Sequence, residues 1–178
     1  NIRLPRILLA CIVGCSLSLS GVSYQSVFQN PMASPDILGA TNGAAFGAAL
    51  AIFLGLGHAG ITALAFVFSL VTVFLVFLIG NHVKGEKTLG LVLAGIMVSS
   101  LFQAGTSFIK LVADPNNKLP AITYWLMGSL ASIKPADVSF ILVPMIIGAV
   151  PLFVLRWRMN LLTVGEEEAM AMGVNTRL

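Results

Sequence analysis

Ile37 to Val83 reads ILGATNGAAFGAALAIFLGLGHAGITALAFVFSLVTVFLVFLIGNHV and contains no Asp, Glu, Lys or Arg. About 20 apolar residues suffice for one helix to cross a hydrocarbon core. The run is therefore long enough for two crossings, and Gly57-His58-Ala59-Gly60 reads as the tight turn between them. The first crossing, about 37–56, carries Gly39, Gly43 and Gly47 at steps of four, a small-residue ridge along one helix face. No strand precedes these glycines and no Lys-Ser/Thr follows them, so they do not form a phosphate loop. The second crossing, about 61–80, is rich in Val, Phe and Leu and suits a lipid-facing position.

The same reading extends outward. The chain has 178 residues, of which 57% are hydrophobic and 10% charged. Soluble domains carry about 25% charged residues. Arg6 to Asp36 and Thr88 to Ile109 are further charge-free gaps of spanning length. The expected fold is all-α, a polytopic transmembrane helical bundle. Five spans are expected, at about 7–28, 37–56, 61–80, 88–112 and 138–155, with one short interfacial or re-entrant helix and one short helix at the end of the chain. A start at Asn1 directly before an apolar span, with no soluble body after it, argues against a cleaved signal peptide. It suggests a piece of a longer membrane protein.

Between the spans the punctuation is local. Ile2 to Arg6 is a basic entry with Pro5 in the first helical turn, where a missing N–H costs little. The first span is rich in Gly14, Ser16, Ser18, Ser20 and Gly21. Gln29 to Asp36, with two prolines, breaks the chain, and Ser34 or Asp36 can cap the next helix. The fourth span places Gly95, Ser99 and Thr106 on one face with Gln103, a face that packs on another helix or lines an aqueous path. Within 113–137, Ile122 to Leu130 is too short to span and puts Tyr124 and Trp125 at headgroup level. Arg156-Trp157-Arg158 marks a membrane edge.

The last segment has its own design. Thr163 and Glu166 have the spacing of a capping box. Glu166, Glu167 and Glu168 occupy the first turn, where the helix dipole favours negative charge. Gly173 can end the helix in a left-handed conformation. Two to three turns are not stable alone in water, so the segment needs another surface to lean on, expected to be a partner protein.

Several chemistries are excluded. No basic stripe suggests nucleic acid. His58 and His82 fall in predicted loops away from any Cys or carboxylate cluster, so no metal site is expected. Cys11 and Cys15, one turn apart on one helix, are poorly placed for a disulfide and read as small packing residues. No span has a charge near its centre, so no proton or sodium relay is visible. No nucleophile–base set or nucleotide motif is present either. Lys and Arg divide evenly between the two sides, so the positive-inside count leaves the orientation open.

Several blocks in order resemble the permease subunits of the FecCD family of ABC transporters, importers of iron–siderophores, haem and cobalamin. They are Arg3-Leu4-Pro5-Arg6, Ser20-Gly21, Gln25, Asn30 to Gly39, Leu93 to Ile96, Tyr124 to Ser129, and Asn160 to Val174 with its Gly165-Glu166-Glu167, Ala169 and Gly173. The resemblance covers essentially the whole chain, which would correspond to helices two to six of about ten. The resemblance makes 1–178 an incomplete transmembrane permease domain of a bacterial inner-membrane importer. It would be a transport subunit rather than an enzyme. The implied substrate is an iron–siderophore or related metal chelate. The implied partners are a second permease copy or paralogue, two cytoplasmic ATPase subunits and an extracytoplasmic substrate-binding protein. No cofactor is expected in the chain itself, ATP being used by the partner subunit.

The resemblance also assigns residues. Leu161, Leu162, Thr163, Gly165, Glu166, Glu167, Ala169 and Gly173 match the helix that docks in the ATPase. Arg3 and Arg6 match arginines that pair with acidic residues of the binding protein; membrane-edge anchoring is their plainer role. Asn30, Met32 and Thr88 match a cytoplasmic gate, with Met32 where the family has leucine. This assignment puts Asn30–Asp36 and Lys84 in the cytoplasm. The competing reading is a non-ABC channel or a secondary carrier of inverted-repeat type, in which the end helix lies on the membrane surface.

Overall fold

The computed structural model describes residues 3–30, 33–83, 87–130 and 135–163. Six helices account for nearly all of them: α1 (Arg3–Phe28), α2 (Ala40–Phe53), α3 (His58–His82), α4 (Lys87–Val112), α5 (Lys118–Met127) and α6 (Pro135–Leu162). Among the described residues there is no strand, as an all-α membrane bundle requires. Inside lipid an apolar segment must satisfy its own backbone, and a helix does so within the segment.

Among the described residues four helices, not five, are long and apolar enough to cross a membrane: α1, α3, α4 and α6. The expected span 37–56 is instead the 14-residue helix α2. At 1.5 Å per residue it is roughly 21 Å long, short of a hydrocarbon core of about 30 Å. Two glycines trim it. Gly39, at φ 70°, stands at its N-cap position, where the sequence expectation is Ser34 or Asp36. The Asp36 carbonyl instead accepts the Gly39 N–H at 2.8 Å. Gly55, at φ 76°, closes the other end in a Schellman turn. There the Gly55 N–H bonds Ile52 O at 3.0 Å and the Leu56 N–H bonds Ala51 O at 2.9 Å.

The other boundaries also shift. α3 begins at His58 rather than 61, because the turn lies at Leu54–Gly57 and not at Gly57–Gly60. His58 and His82 are therefore its two terminal residues, not loop residues. α1 starts at Arg3 rather than 7. α4 agrees with 88–112 to one residue. α6 runs over 28 residues against the expected 138–155, continuing past Arg156-Trp157-Arg158. Pro144 and Pro151 lie inside it and leave the carbonyls four residues back without their usual N–H.

The chain divides into two compact units, one of residues 36–129 and one of residues 1–35 with 130–178. In the first, α2 packs on both α3 and α4. Phe46 of α2, Phe68 of α3 and Phe102 of α4 meet ring to ring, with centroids 5.1, 5.4 and 6.2 Å apart. Lipid tails are as apolar as leucine, so close packing rather than water exclusion holds such helices together. The glycine ridge makes that possible. A Cβ at Gly43 would stand 2.7 Å from the Phe68 carbonyl oxygen, and one at Gly47 would stand 2.8 Å from the Leu64 carbonyl carbon.

The second core of this unit fixes α5. Ile122, fully buried, packs with Ala49, Ile109 and Ala113. Lys118 reaches back to α2, donating from Nζ to Phe53 O at 2.7 Å, with the ammonium 5.1 Å from the centre of the Phe53 ring. The Leu54 N–H bonds Leu50 O at 2.9 Å. With the Schellman bonds, all four final carbonyls of α2 are thus satisfied. Replacing Lys118 with methionine leaves Phe53 O without a donor at a cost of about 1–3 kcal/mol. The expected result is a fall of roughly 4–8 °C in the melting temperature of the full-length protein in detergent. Lys118→Arg, which keeps a donor and a cation, should lose less than half of that.

In the other unit α1 packs on α6. The hydroxyls of Ser16, Ser18, Ser20, Ser23 and Ser26 each donate to the carbonyl four residues earlier, at 2.7–3.0 Å. The serines therefore present no unmet polar group to an apolar surrounding.

Candidate functional site

The residues with assigned roles fall at helix ends. Leu161 and Leu162 form the last turn of α6, and Thr163 stands in the turn that follows. The Thr163 hydroxyl donates to Asn160 O at 2.7 Å, satisfying one of the carbonyls that a helix C-terminus leaves free. A hydroxyl can donate and accept at once, so this bond is compatible with the capping role read from the sequence. Gly165, Glu166, Glu167, Ala169 and Gly173 lie outside the described residues, as does Met32. Among the described residues, α6 runs directly into Thr163.

Asn30 sits just beyond α1. Gln29 adopts the left-handed conformation at φ 48°. The Asn30 N–H then bonds Gln25 O at 3.2 Å, and Asn30 O accepts the Ala33 N–H at 3.0 Å. This folds the chain back on the helix end, and position 30 is set by backbone bonds on both sides. Thr88 is in the first turn of α4, half-buried. Arg3 and Arg6 are both in the first two turns of α1, Arg3 exposed and Arg6 half-buried.

The polar face of α4 splits in two. Gly95 packs against the Ile37 carbonyl and Ser99 against Gly39. Thr106 is buried and donates to Phe102 O at 2.9 Å. Gly95 and Ser99 serve packing against the turn before α2 and its N-cap. Gln103 is exposed, together with Ser100 and Ser107. Sequence periodicity placed Gln103 with the packing face because it lies one turn from Ser99; the difference is set by which residues α2 covers. No group of three or more His, Cys, Asp or Glu that could hold a metal ion occurs among the described residues.

Among the described residues, four membrane-length helices with no strand, and a half-length helix that glycines bring close to two of them, make the architecture of a polytopic membrane protein. The chain belongs to the FecCD transport family, whose model matches residues 1–178. The molybdate import system permease protein MolB of Haemophilus influenzae is 43% identical over 174 residues, covering 98% of this chain and 52% of that protein. A permease protein of Helicobacter pylori named for an iron chelatin transport system is 40% identical over 175 residues, again 98% and 52%. A solved structure described as an inward-facing conformation of a metal-chelate type ABC transporter superposes with a TM-score of 0.89. It is 43% identical over 97% of this chain and 55% of that one. The chain spans about half the length of the relatives it matches.

Proposed function

We propose that this chain is part of the membrane-spanning permease subunit of a binding-protein-dependent ABC importer in a bacterial inner membrane. The full-length family match, together with relatives named as import permeases, carries this reading. Two physical observations support it. The four membrane-length helices hold their charges near their ends, at Arg3, Arg6, Lys87, Lys110, Asp137, Arg156 and Arg158. A carrier driven by an ion gradient needs ionisable groups within the membrane, so the driving force has to come from a partner. The second is that α6 runs without interruption to Leu162, with Thr163 in the turn that follows.

In this reading two ATPase subunits bind Leu161 to Gly173 in the cytoplasm, and the chain itself needs no cofactor and catalyses no reaction. Closure of the ATPase pair pushes on Leu161, Leu162 and Thr163, and α6 transmits the movement because no break separates it from them. Gly165, Glu166, Glu167, Ala169 and Gly173 supply the rest of that contact. Arg3 and Arg6 meet acidic groups of a binding protein outside, and Asn30, Met32 and Thr88 form the inner gate. A second permease copy or paralogue completes the pathway.

The substrate is an iron–siderophore or related metal chelate. Molybdate is the second reading, favoured by the relative that carries that name at 43% identity. The test is uptake by proteoliposomes holding the full-length permease, its ATPase and its binding protein. Labelled iron–siderophore should enter only with ATP inside, at least tenfold faster than with a non-hydrolysable analogue. Uptake that persists without ATP refutes the importer. ATP-driven uptake of molybdate but not of any iron chelate refutes the substrate alone.

A further inference from the structure

Of the four membrane-length helices, α6 has the weakest middle. Pro144 and Pro151 lie inside it, with Gly148 between them. Proline and glycine are the two least favourable residues in a helix interior. α1, α3 and α4 carry no proline beyond their first turn. Glycines elsewhere serve close approach: a Cβ at Gly43, Gly47 or Gly95 would come within 3 Å of another segment. Gly148 has no such role among the described residues, because a Cβ there would meet nothing within 4 Å.

The spacing of the three residues gives the weakness a direction. Each proline removes one backbone N–H, so the carbonyls of Phe140 and Ile147 lose their usual donors. The prolines are seven residues apart, close to two whole turns, so Pro144, Gly148 and Pro151 fall within roughly 60° around the axis. Helices kink at such positions, and two kinks in phase add in one plane. Five residues apart they would face nearly opposite sides and partly cancel. Met145, Ala149 and Leu152, which face α1, lie roughly a quarter turn from the prolines. The bend therefore runs sideways along α1 and does not lift α6 away from it. Beyond Pro151 the helix continues without interruption to Leu162, where the Thr163 hydroxyl closes its end on Asn160 O at 2.7 Å.

We propose that residues 144–151 are a one-plane hinge in α6, and that residues 152–162 are the arm it carries. A push at Thr163 swings the arm along α1 while residues 135–143 hold their place. Hinges of this kind concentrate a large backbone change in a few residues. The hinge rests on the importer reading for its driving force and on the proline spacing for its direction. It does not depend on which substrate is carried.

The test is a distance across the hinge. Phe140→Cys and Leu155→Cys, both at exposed positions on the proline side, carry spin labels in the full-length permease with all native cysteines replaced by serine. The permease is assembled with its ATPase and binding protein in proteoliposomes. The two positions are about 22 Å apart along a straight helix axis. Trapping the ATPase with ATP should shift the label distance by roughly 3 Å or more, as a kink change of about 20° requires. Pro144→Ala with Gly148→Ala and Pro151→Ala should abolish the shift and slow ATP-driven uptake at least tenfold, with ATPase binding retained. Gly148→Ala alone adds a methyl group that meets nothing within 4 Å among the described residues. It should at least halve both the shift and the uptake. An unchanged distance in a wild type that transports, or alanine variants that transport at the wild-type rate, overturn the hinge alone. A wild type with no ATP-driven uptake refutes the importer reading and the hinge with it.

Discussion

Gly43→Leu is expected to destabilise the protein about a hundredfold and to cut sharply the yield of folded material. The Cβ would stand 2.7 Å from the Phe68 carbonyl oxygen and 2.9 Å from Thr72 Cβ. Neither can give easily. Phe68 O is backbone and already accepts the Thr72 hydroxyl at 2.7 Å, and Thr72 is fully buried. α2 would have to lift away from α3, which breaks the Phe46 ring contacts and the seat of α5 on Ala49. Overpacking a well-filled site usually costs about 1–3 kcal/mol and occasionally more. With backbone as the obstacle, about 3 kcal/mol is expected here, roughly a hundredfold in the folding equilibrium. Size-exclusion profiles of detergent extracts should show loss of the monodisperse peak for the full-length variant. Leu70→Ala, on the exposed face of α3, should leave the peak unchanged. A normal peak for Gly43→Leu would mean that α2 does not sit on α3 as described.

The second large effect is on coupling. Glu166→Lys with Glu167→Lys reverses two charges in the first turn of the predicted end helix. There the N-terminal dipole favours acids, and the proposed partner surface must complement them. Losing a buried charge contact at an interface costs about 2–5 kcal/mol. ATP-driven uptake should therefore fall to about 1% or less. The amount of protein in the membrane should not change, because the substitution lies outside the spanning helices.

Much of this fold is legible from composition, and the misreadings have physical causes. α4 is found to within one residue because Lys87 and the Asp114-Pro115 turn punctuate both its ends. α2 was overlong on apolarity alone. Ile37-Leu38 and Leu54 look like membrane residues, but left-handed backbone at Gly39 and Gly55 ends the helix inside them. Gly55 carried a signal that composition masked, since a glycine one residue past a helix end is where a Schellman turn forms. α6 extends beyond its basic-aromatic edge because a membrane boundary is not a helix boundary. Arg156 and Arg158 can reach the interface from a helix that continues.

The packing role of Gly39, Gly43 and Gly47 follows from their spacing, but which helices they meet does not. Lys118 gave no local sign of its task, because its partner Phe53 lies 65 residues away. For the site, the place of Thr88 at the start of α4 follows from sequence, whereas Leu161 and Thr163 stand at the end of α6 because that helix continues past 155. The division of the α4 polar face into packed Ser99 and Thr106 and exposed Gln103 required the position of α2.

The central claim is that this chain borrows its energy through the segment at its end. The most direct measurement is co-purification of the cognate ATPase with the full-length permease, wild type against the Glu166→Lys, Glu167→Lys variant. The account predicts a stable complex with the wild type and at least hundredfold weaker binding by an equally abundant variant. Equal recovery of the ATPase with both proteins, or none with either, would contradict it.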